Sequence, residues 1–149
     1  MARGRPYGRT AATVQKWATK LHTAAYRGTG GRIGGRFMNS PVMLLITTGR
    51  RTGKEFTTPL LYLEDDANYV AVASNGGTAG DPDWWLNLKA NPEAMVEIGG
   101  KRLRVRAGEV EGEEKRRLWV RLVEMYPPYE SYQRRTDREI PVIILRPAD

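Results

Sequence analysis

Apolar positions change their period along the chain, and the changes mark its elements. Across "AATVQKWATKLHTAAYRGTGG", Val14, Trp17, Ala18, Leu21 and Ala25 recur at helical spacing, with Lys16 and Lys20 off that face. The glycines from Gly28 end this predicted helix. "GTGGRIGGRF" is too glycine-rich for regular structure and reads as a connector. From Pro41 the period becomes that of strands. "VMLLITT" is continuously apolar, the pattern of a strand buried on both faces. "GRRTGK" is a turn and "EFTTPLLYLED" the return strand, where Pro59 implies an edge or a bulge. "NYVAVAS" is a third strand, entered through the Asp65–Asn68 turn. "GDPDWWLNLKANP" predicts a short helix, with Asp81 as N-cap, Pro82 first in the helix and Asn91-Pro92 as its stop.

"AMVEI", Gly99-Gly100 and "KRLRVRAGEV" form a two-residue hairpin. In its second arm Leu103, Val105 and Ala107 face one way and Arg102, Arg104 and Arg106 the other. "EGEEKRRLWVRLVEMYP" predicts an amphipathic helix built on Leu118, Val120, Leu122, Val123 and Met125, with acids in its first turn. "PYESYQRRTDR" is a polar aromatic loop or short helix, and "IPVIILRP" a last strand. About six antiparallel strands with two or three helices, joined mostly by hairpins, predict a mainly β fold with α elements (α+β), closed as a small barrel. A doubly wound nucleotide fold would need alternating βαβ units. Residues 1–10, rich in Gly, Arg and Pro, read as a disordered basic tail. Residues 11–149 read as one domain.

The 149 residues carry a net charge of +7. Residues 1–54 hold eleven Lys/Arg and no acid, while the remainder has 13 basic against 17 acidic residues. An excess confined to one end suggests an anionic partner: a nucleic acid, a membrane surface or a phosphorylated ligand. There is no cysteine and one histidine, His22. Thiolate chemistry is excluded, and a multi-histidine metal site or a Ser-His triad has too few ligands, so no metal is expected. No apolar run reaches the ~18 residues of a membrane span, and no secretory signal is evident, so a cytoplasmic location is expected. The basic N-terminal helix could still rest on the inner face of a membrane.

The usual catalytic motifs are missing, so a cofactor is expected to bring any chemistry. Three stretches qualify as its site. Arg50, Arg51 and Lys54 crowd a glycine-flanked turn, which is either a solvated tip or an anion nest; the spacing alone leaves both open. In "SNGGTAGDPDWWLNLKANP", Ser74 and Asn75 end a strand and a helix start follows, whose amides could face an anionic or carbonyl-rich ring. Trp84 and Trp85 could wall such a ring or pack the barrel. In "MYPPYESYQ", Tyr126, Tyr129 and Tyr132 are neighbours if helical, forming a lid or an ordinary aromatic cluster.

Taken together, "PVMLLITTGRRTGKEFTTPLLYL", "VAVASNGGTAGDPDWWLNLKANPEAMVEI" and "MYPPYESYQRRTDREIPVIIL" resemble the deazaflavin (coenzyme F420)-dependent nitroreductase family of actinobacteria, in order from about Gly28 to Pro147. The resemblance implies a split β-barrel of the FMN-binding, pyridoxamine-phosphate-oxidase-like kind. It also implies coenzyme F420, an 8-hydroxy-5-deazaflavin, as hydride donor. By position, Arg50, Arg51, Thr52 and Lys54 would grip the cofactor's anionic tail. Phe56, Thr58, Pro59, Leu60 and Leu61 would line its length. Val72, Ala73, Ser74 and Asn75 would border the ring, with Asp83, Trp84, Trp85, Leu86 and Asn87 at the helix start. Tyr126, Tyr129 and Tyr132 would surround the acceptor, a quinone, an activated enone or a nitroaromatic, and Ser74 would match a residue tied to its protonation or orientation; Tyr126, Tyr132 and Ser74 are then the available donors, with water able to deliver the final proton. Leu61 and Asn75 stand where the family's namesake has tyrosine and lysine. The other readings are an FMN- or heme-binding barrel and a basic nucleic-acid-binding barrel. The last would need aromatics interleaved with its cations, which are not seen, so no nucleic-acid partner is expected. A monomer or a homodimer would serve the reductase.

Overall fold

The computed structural model describes residues 20–31, 35–37 and 39–148. The tail at residues 1–10 and the helix positions Val14, Lys16, Trp17 and Ala18 lie outside them. The described part of the first helix, α1, covers residues 20–28. Its buried position is Tyr26, while Leu21, expected on the apolar face, is 70% exposed. Then come β1 (Arg36–Phe37), β2 (Ser40–Thr48), β3 (Glu55–Leu61), β4 (Leu63–Asp65) and β5 (Asn68–Val72). A 3-10 turn at Asn75–Gly77 leads to α2 (Asp83–Ala90). The chain continues through β6 (Glu93–Ile98), β7 (Lys101–Val110), α3 (Gly112–Met125), α4 (Pro128–Arg134) and β8 (Val142–Pro147).

All strand pairs are antiparallel, in the order β1-β2-β6-β7-β8-β5-β4, with β3 on the other side of β2. The expected return strand is therefore two pieces. β3 pairs with β2, β4 pairs with β5, and the break falls at Tyr62, whose N–H makes the last bond to β2, at Pro41 O. Because β3 and β4 are consecutive, this broken strand bends the two ends of the sheet toward one another. The outcome is a curled antiparallel barrel sheet of six ribbons with a short added β1. Pro59 sits on β3, whose only ladder is to β2, so its missing N–H interrupts nothing.

Alternation assigns the two faces. Met43, Leu45, Ala71, Val96, Val105, Ile143 and Leu145 share one core with Trp84, Trp85 and Leu88 of α2. Val70, Val72, Val110, Val142 and Ile144 point the other way, into a second core with Leu118 and Leu122 of α3 and Tyr126 and Tyr129. β2, β5 and β8 read as continuous apolar runs because both of their faces are covered. Val120 is 59% exposed, contrary to expectation. Two residues is about 200° of helix, which turns it away from the Leu118–Leu122 stripe. Asp81 does not cap α2. Pro82 is the N-cap residue and makes no side-chain bond, and the Asp81 carboxylate serves Arg138 and Lys89 instead.

Candidate functional site

A cavity of about 410 Å³ lies outside the barrel wall, under α1 and α4. Val42, Pro59, Leu60, Leu61 and Val72 form its apolar floor. Ser74 and Gly76 border it at the end of β5, and His22, Phe37, Tyr126, Tyr129 and Tyr132 complete it. The volume, and an apolar floor faced by converging polar groups, suit a small ligand.

The three tyrosines are placed by the α3–α4 junction. Pro127 and Pro128 stop α3 and restart the chain as α4, so Tyr126 ends one helix while Tyr129 and Tyr132 share the next. Tyr126 and Tyr129 meet edge to face with centroids 4.9 Å apart. The hydroxyls of Tyr126 and Tyr132 are 3.1 Å apart. Burial, with help from that hydrogen bond, pushes the Tyr126 phenol up to about 12. Burial also pushes Tyr129 well above the usual phenol range. Both therefore stay protonated near neutral pH and can donate hydrogen bonds.

The loop that carries Ser74 is held from below. Arg138 donates from Nε to Thr78 O at 3.1 Å, from Nη1 to Ala73 O and the Asp81 carboxylate, both at 3.0 Å, and from Nη2 to Ser74 O at 2.7 Å. Asn75, Gly76 and Gly77 all have positive φ (47°, 65° and 77°), a left-handed turn that glycine makes accessible. At Gly77 a Cβ would lie 2.7 Å from Tyr132 O, so the close seating of α4 on this turn requires glycine. At Gly76 a Cβ would meet nothing within 4 Å, so bare main chain borders the cavity.

The cationic turn is docked onto α2. The Arg50 N–H donates to Asn87 Oδ1 at 3.2 Å, and its guanidinium donates to Asn87 Oδ1 at 2.8 Å and to Asp83 at 3.2 Å. Asn87, itself buried, donates to Thr47 Oγ1 at 3.3 Å. Arg51 and Lys54 are exposed and make no ion pair among the described residues. The Thr52 hydroxyl accepts from Lys54 N at 3.3 Å, bracing the tip. Phe56 covers Gly49, where a Cβ would meet its ring at 2.5 Å.

The expected site residues therefore separate. Pro59, Leu60, Leu61, Val72, Ser74, Tyr126, Tyr129 and Tyr132 come together at the cavity. Arg50, Asp83 and Asn87 form one polar cluster beside Arg51, Thr52 and Lys54. Trp84 and Trp85 are buried in the barrel core, as is Ala73, and none of the three lines the cavity. Trp85 carries Lys89 over its ring at 5.3 Å, and its Nε1–H has no acceptor among the described residues. Thr58, Leu86 and Asn75 are partly buried and lie off the cavity lining. Sequence reasoning missed His22, Phe37, Val42, Gly76 and Arg138. Among the described residues no cluster of His, Cys, Asp or Glu could hold a metal. No helix among them is long and apolar enough to cross a membrane.

The family model for the F420H(2)-dependent quinone reductase matches residues 17–147. An F420H(2)-dependent quinone reductase of Mycobacterium tuberculosis is 45% identical over 130 residues, 85% of this chain and 87% of that protein. The solved structure of an F420-H2 dependent reductase is 46% identical, with a TM-score of 0.66 over 71% of this chain and 94% of its own. A second solved structure, described as a domain-swapped dimer, is 38% identical, with a TM-score of 0.69 over 92% and 99%. A heme storage protein from Vibrio cholerae, at 13% identity and a TM-score of 0.56, shares the split-barrel fold alone. The deazaflavin resemblance of the three motifs is thus borne out, under the quinone-reductase rather than the nitroreductase label. The chain belongs to the F420H(2)-dependent quinone reductase family.

Proposed function

We propose that the protein binds reduced coenzyme F420 between the Arg51–Lys54 turn and the tyrosine cavity, and there reduces a quinone, an activated enone or a nitroaromatic. The observation that carries this reading is the cavity: an apolar floor, bare main chain at Gly76, and Ser74 with three tyrosines opposite. The donor set fits a deazaflavin with an anionic tail. A flat ring can approach the main chain where no Cβ intervenes, and Arg51 and Lys54 are cations without an internal counter-ion among the described residues. When bound, the reduced deazaflavin supplies a hydride.

The chain's own residues do the rest. Arg51, Lys54 and Thr52 hold the tail, and Arg50 holds the turn in place through Asp83 and Asn87. Phe56, Thr58, Pro59, Leu60 and Leu61 follow the cofactor along β3. Val72, Ala73, Ser74 and Asn75 support the ring edge, and Trp84, Trp85 and Leu86 support that edge through the barrel core. Tyr126, Tyr129 and Tyr132 exclude water and orient the acceptor. The Tyr126–Tyr132 pair offers a hydrogen bond where negative charge develops on the acceptor oxygen.

Titration with F420, FMN and heme separates this reading from its rivals on the same fold. His22 is the one histidine that a heme iron could use, which makes heme the strict control. Tighter binding of FMN or heme than of F420 would overturn the proposal. Arg51→Ala is expected to weaken F420 binding by about tenfold and to flatten its salt dependence, as loss of one screened charge contact does; unchanged affinity would remove the turn from the site. A cytoplasmic homodimer with peripheral membrane contact through the N-terminal segment is the accompanying proposal. Light scattering and liposome co-sedimentation test its two parts.

A further inference from the structure

We propose that His22 donates the proton that completes reduction of the acceptor in the tyrosine cavity. The inference rests on the reductase reading above and names a proton donor for it. Reducing a quinone to a hydroquinone takes one hydride and one proton. The hydride's electron pair forms the new bond to the acceptor, the carbonyl π electrons move onto oxygen, and that oxygen must then gain a proton. The reduced deazaflavin gives up a hydride to the acceptor and a proton to solvent, and the acceptor oxygen takes its own proton from the cavity wall or from water.

The wall holds few groups that could give it. The cavity-lining side chains with a transferable hydrogen are Ser74, Tyr126, Tyr129, Tyr132 and His22. The oxygen to be protonated belongs to a phenol, whose ordinary pKa is about 10. Burial raises Tyr126 and Tyr129 above that value. These two can hydrogen-bond to such an oxygen but transfer a proton to it uphill, the Tyr132 hydroxyl is engaged with that of Tyr126 at 3.1 Å, and a serine hydroxyl is a weaker acid than a phenol. An imidazolium gives its proton to a phenolate downhill, and histidine is the side chain that ordinarily changes charge between pH 5 and 8.

The placement fits the task. His22 is half-buried on α1, which roofs the cavity. Phe37 of β1 also lines it, tilted against Tyr126 at 6.2 Å. Among the described residues, the titratable groups that share the cavity lining with His22 are the three tyrosines, while Lys20 and Arg27 share its helix and Arg36 lies on β1. Arg27 is paired with Glu97, and Arg36 donates to Asn39 O. No carboxylate lines the cavity among the described residues. In the proposed step a ring N–H bond of the imidazolium breaks as the O–H bond of the hydroquinone forms, and the neutral imidazole is reprotonated by solvent.

The chain has one histidine, so its imidazole resonances in NMR are unambiguous. Full-length protein without cofactor, titrated with menadione, is expected to shift those resonances and their midpoint of titration; unmoved resonances at saturating menadione would overturn the proposal. With F420H(2) supplied, His22→Gln is expected to slow menadione reduction about 100-fold at pH 6, in the range of general acid catalysis. It should also abolish the alkaline fall of kcat and leave F420 affinity within about threefold of wild type, a split that a structural role would not give. A wild-type protein that binds no F420 removes the reductase reading and this inference with it. A wild type that turns over, beside a His22→Gln variant with the same rate and pH profile, removes the inference alone.

Discussion

Replacing Arg138 by alanine removes the tie between the β5 end, the left-handed turn and Asp81. Its side chain is 13% exposed and makes four charge-assisted hydrogen bonds, three to carbonyls and one to a carboxylate. Counted singly, at about 1.5–3 kcal/mol each, they would sum to about 6–12 kcal/mol. The real loss is smaller. Water enters the vacated space and serves the carbonyls, and Asp81 keeps Lys89 at 3.4 Å. Removing one partner of a buried pair typically costs about 3–5 kcal/mol, and the partial exposure of Asp81 places Arg138→Ala near the lower end, at about 3 kcal/mol. Arg138→Lys keeps the charge but loses the planar fork, and should recover less than half of that. Urea unfolding with the m-value held as a check measures both. A loss under about 1 kcal/mol for alanine, or full recovery with lysine, would refute the claim that the guanidinium geometry organises the loop.

Gly77→Ala is expected to destabilise by about 2 kcal/mol or more, through its positive φ and the clash with Tyr132 O. Gly76→Ala shares the left-handed backbone without the clash and should cost about 1 kcal/mol, so equal thermal shifts for the two would contradict the packing argument. The hydrogen bond from Arg117, together with Arg121, holds the Asp65 carboxyl below the usual range. A depressed carboxylate contributes fully above the unfolded-state pKa of about 4 and loses its contribution as pH falls through the folded value. Asp65→Asn should therefore lower the urea midpoint at pH 7, and the gap to wild type should narrow as pH falls below about 4; a gap that stays the same size well below pH 4 would refute this. Tyr126→Phe or Ser74→Ala should lower turnover on a quinone about tenfold or more while leaving F420 affinity nearly intact, and equal losses in both would reassign these residues to cofactor binding.

Much of the barrel was legible because its strands are joined by short turns that announce themselves. Asp65–Asn68 and Gly99–Gly100 fix two hairpins, and the arginine stripe of β7 falls on the exposed face as alternation requires. The break at Tyr62 was not legible. "EFTTPLLYLED" keeps one strand-like composition while its hydrogen-bond partner changes from β2 to β5, a tertiary event. Asp81 looked like a helix cap because its local neighbours fit, but a guanidinium 57 residues away competes for it. Arg138 itself sits in "RRTDR", a run that reads as solvated surface. His22 was set aside because one histidine cannot build a metal site or a triad; a proton donor needs only one. The tryptophans were ambiguous between ring wall and core, since both environments select large apolar side chains, and the structure buries both in the barrel core.

The position of β8 has a consequence for how the molecule is made. Val142–Pro147 is the last strand in chain order, yet it sits mid-sheet with β5 on one side and β7 on the other. A nascent chain therefore cannot add it to an outer edge. Until it emerges from the ribosome, β5 and β7 each present an open row of amides and carbonyls. Such rows are templates for wrong pairing. The final residues of the sheet close it between β5 and β7, so loss of β8 would open the barrel into one curled sheet whose halves are joined only through the broken β3–β4 strand.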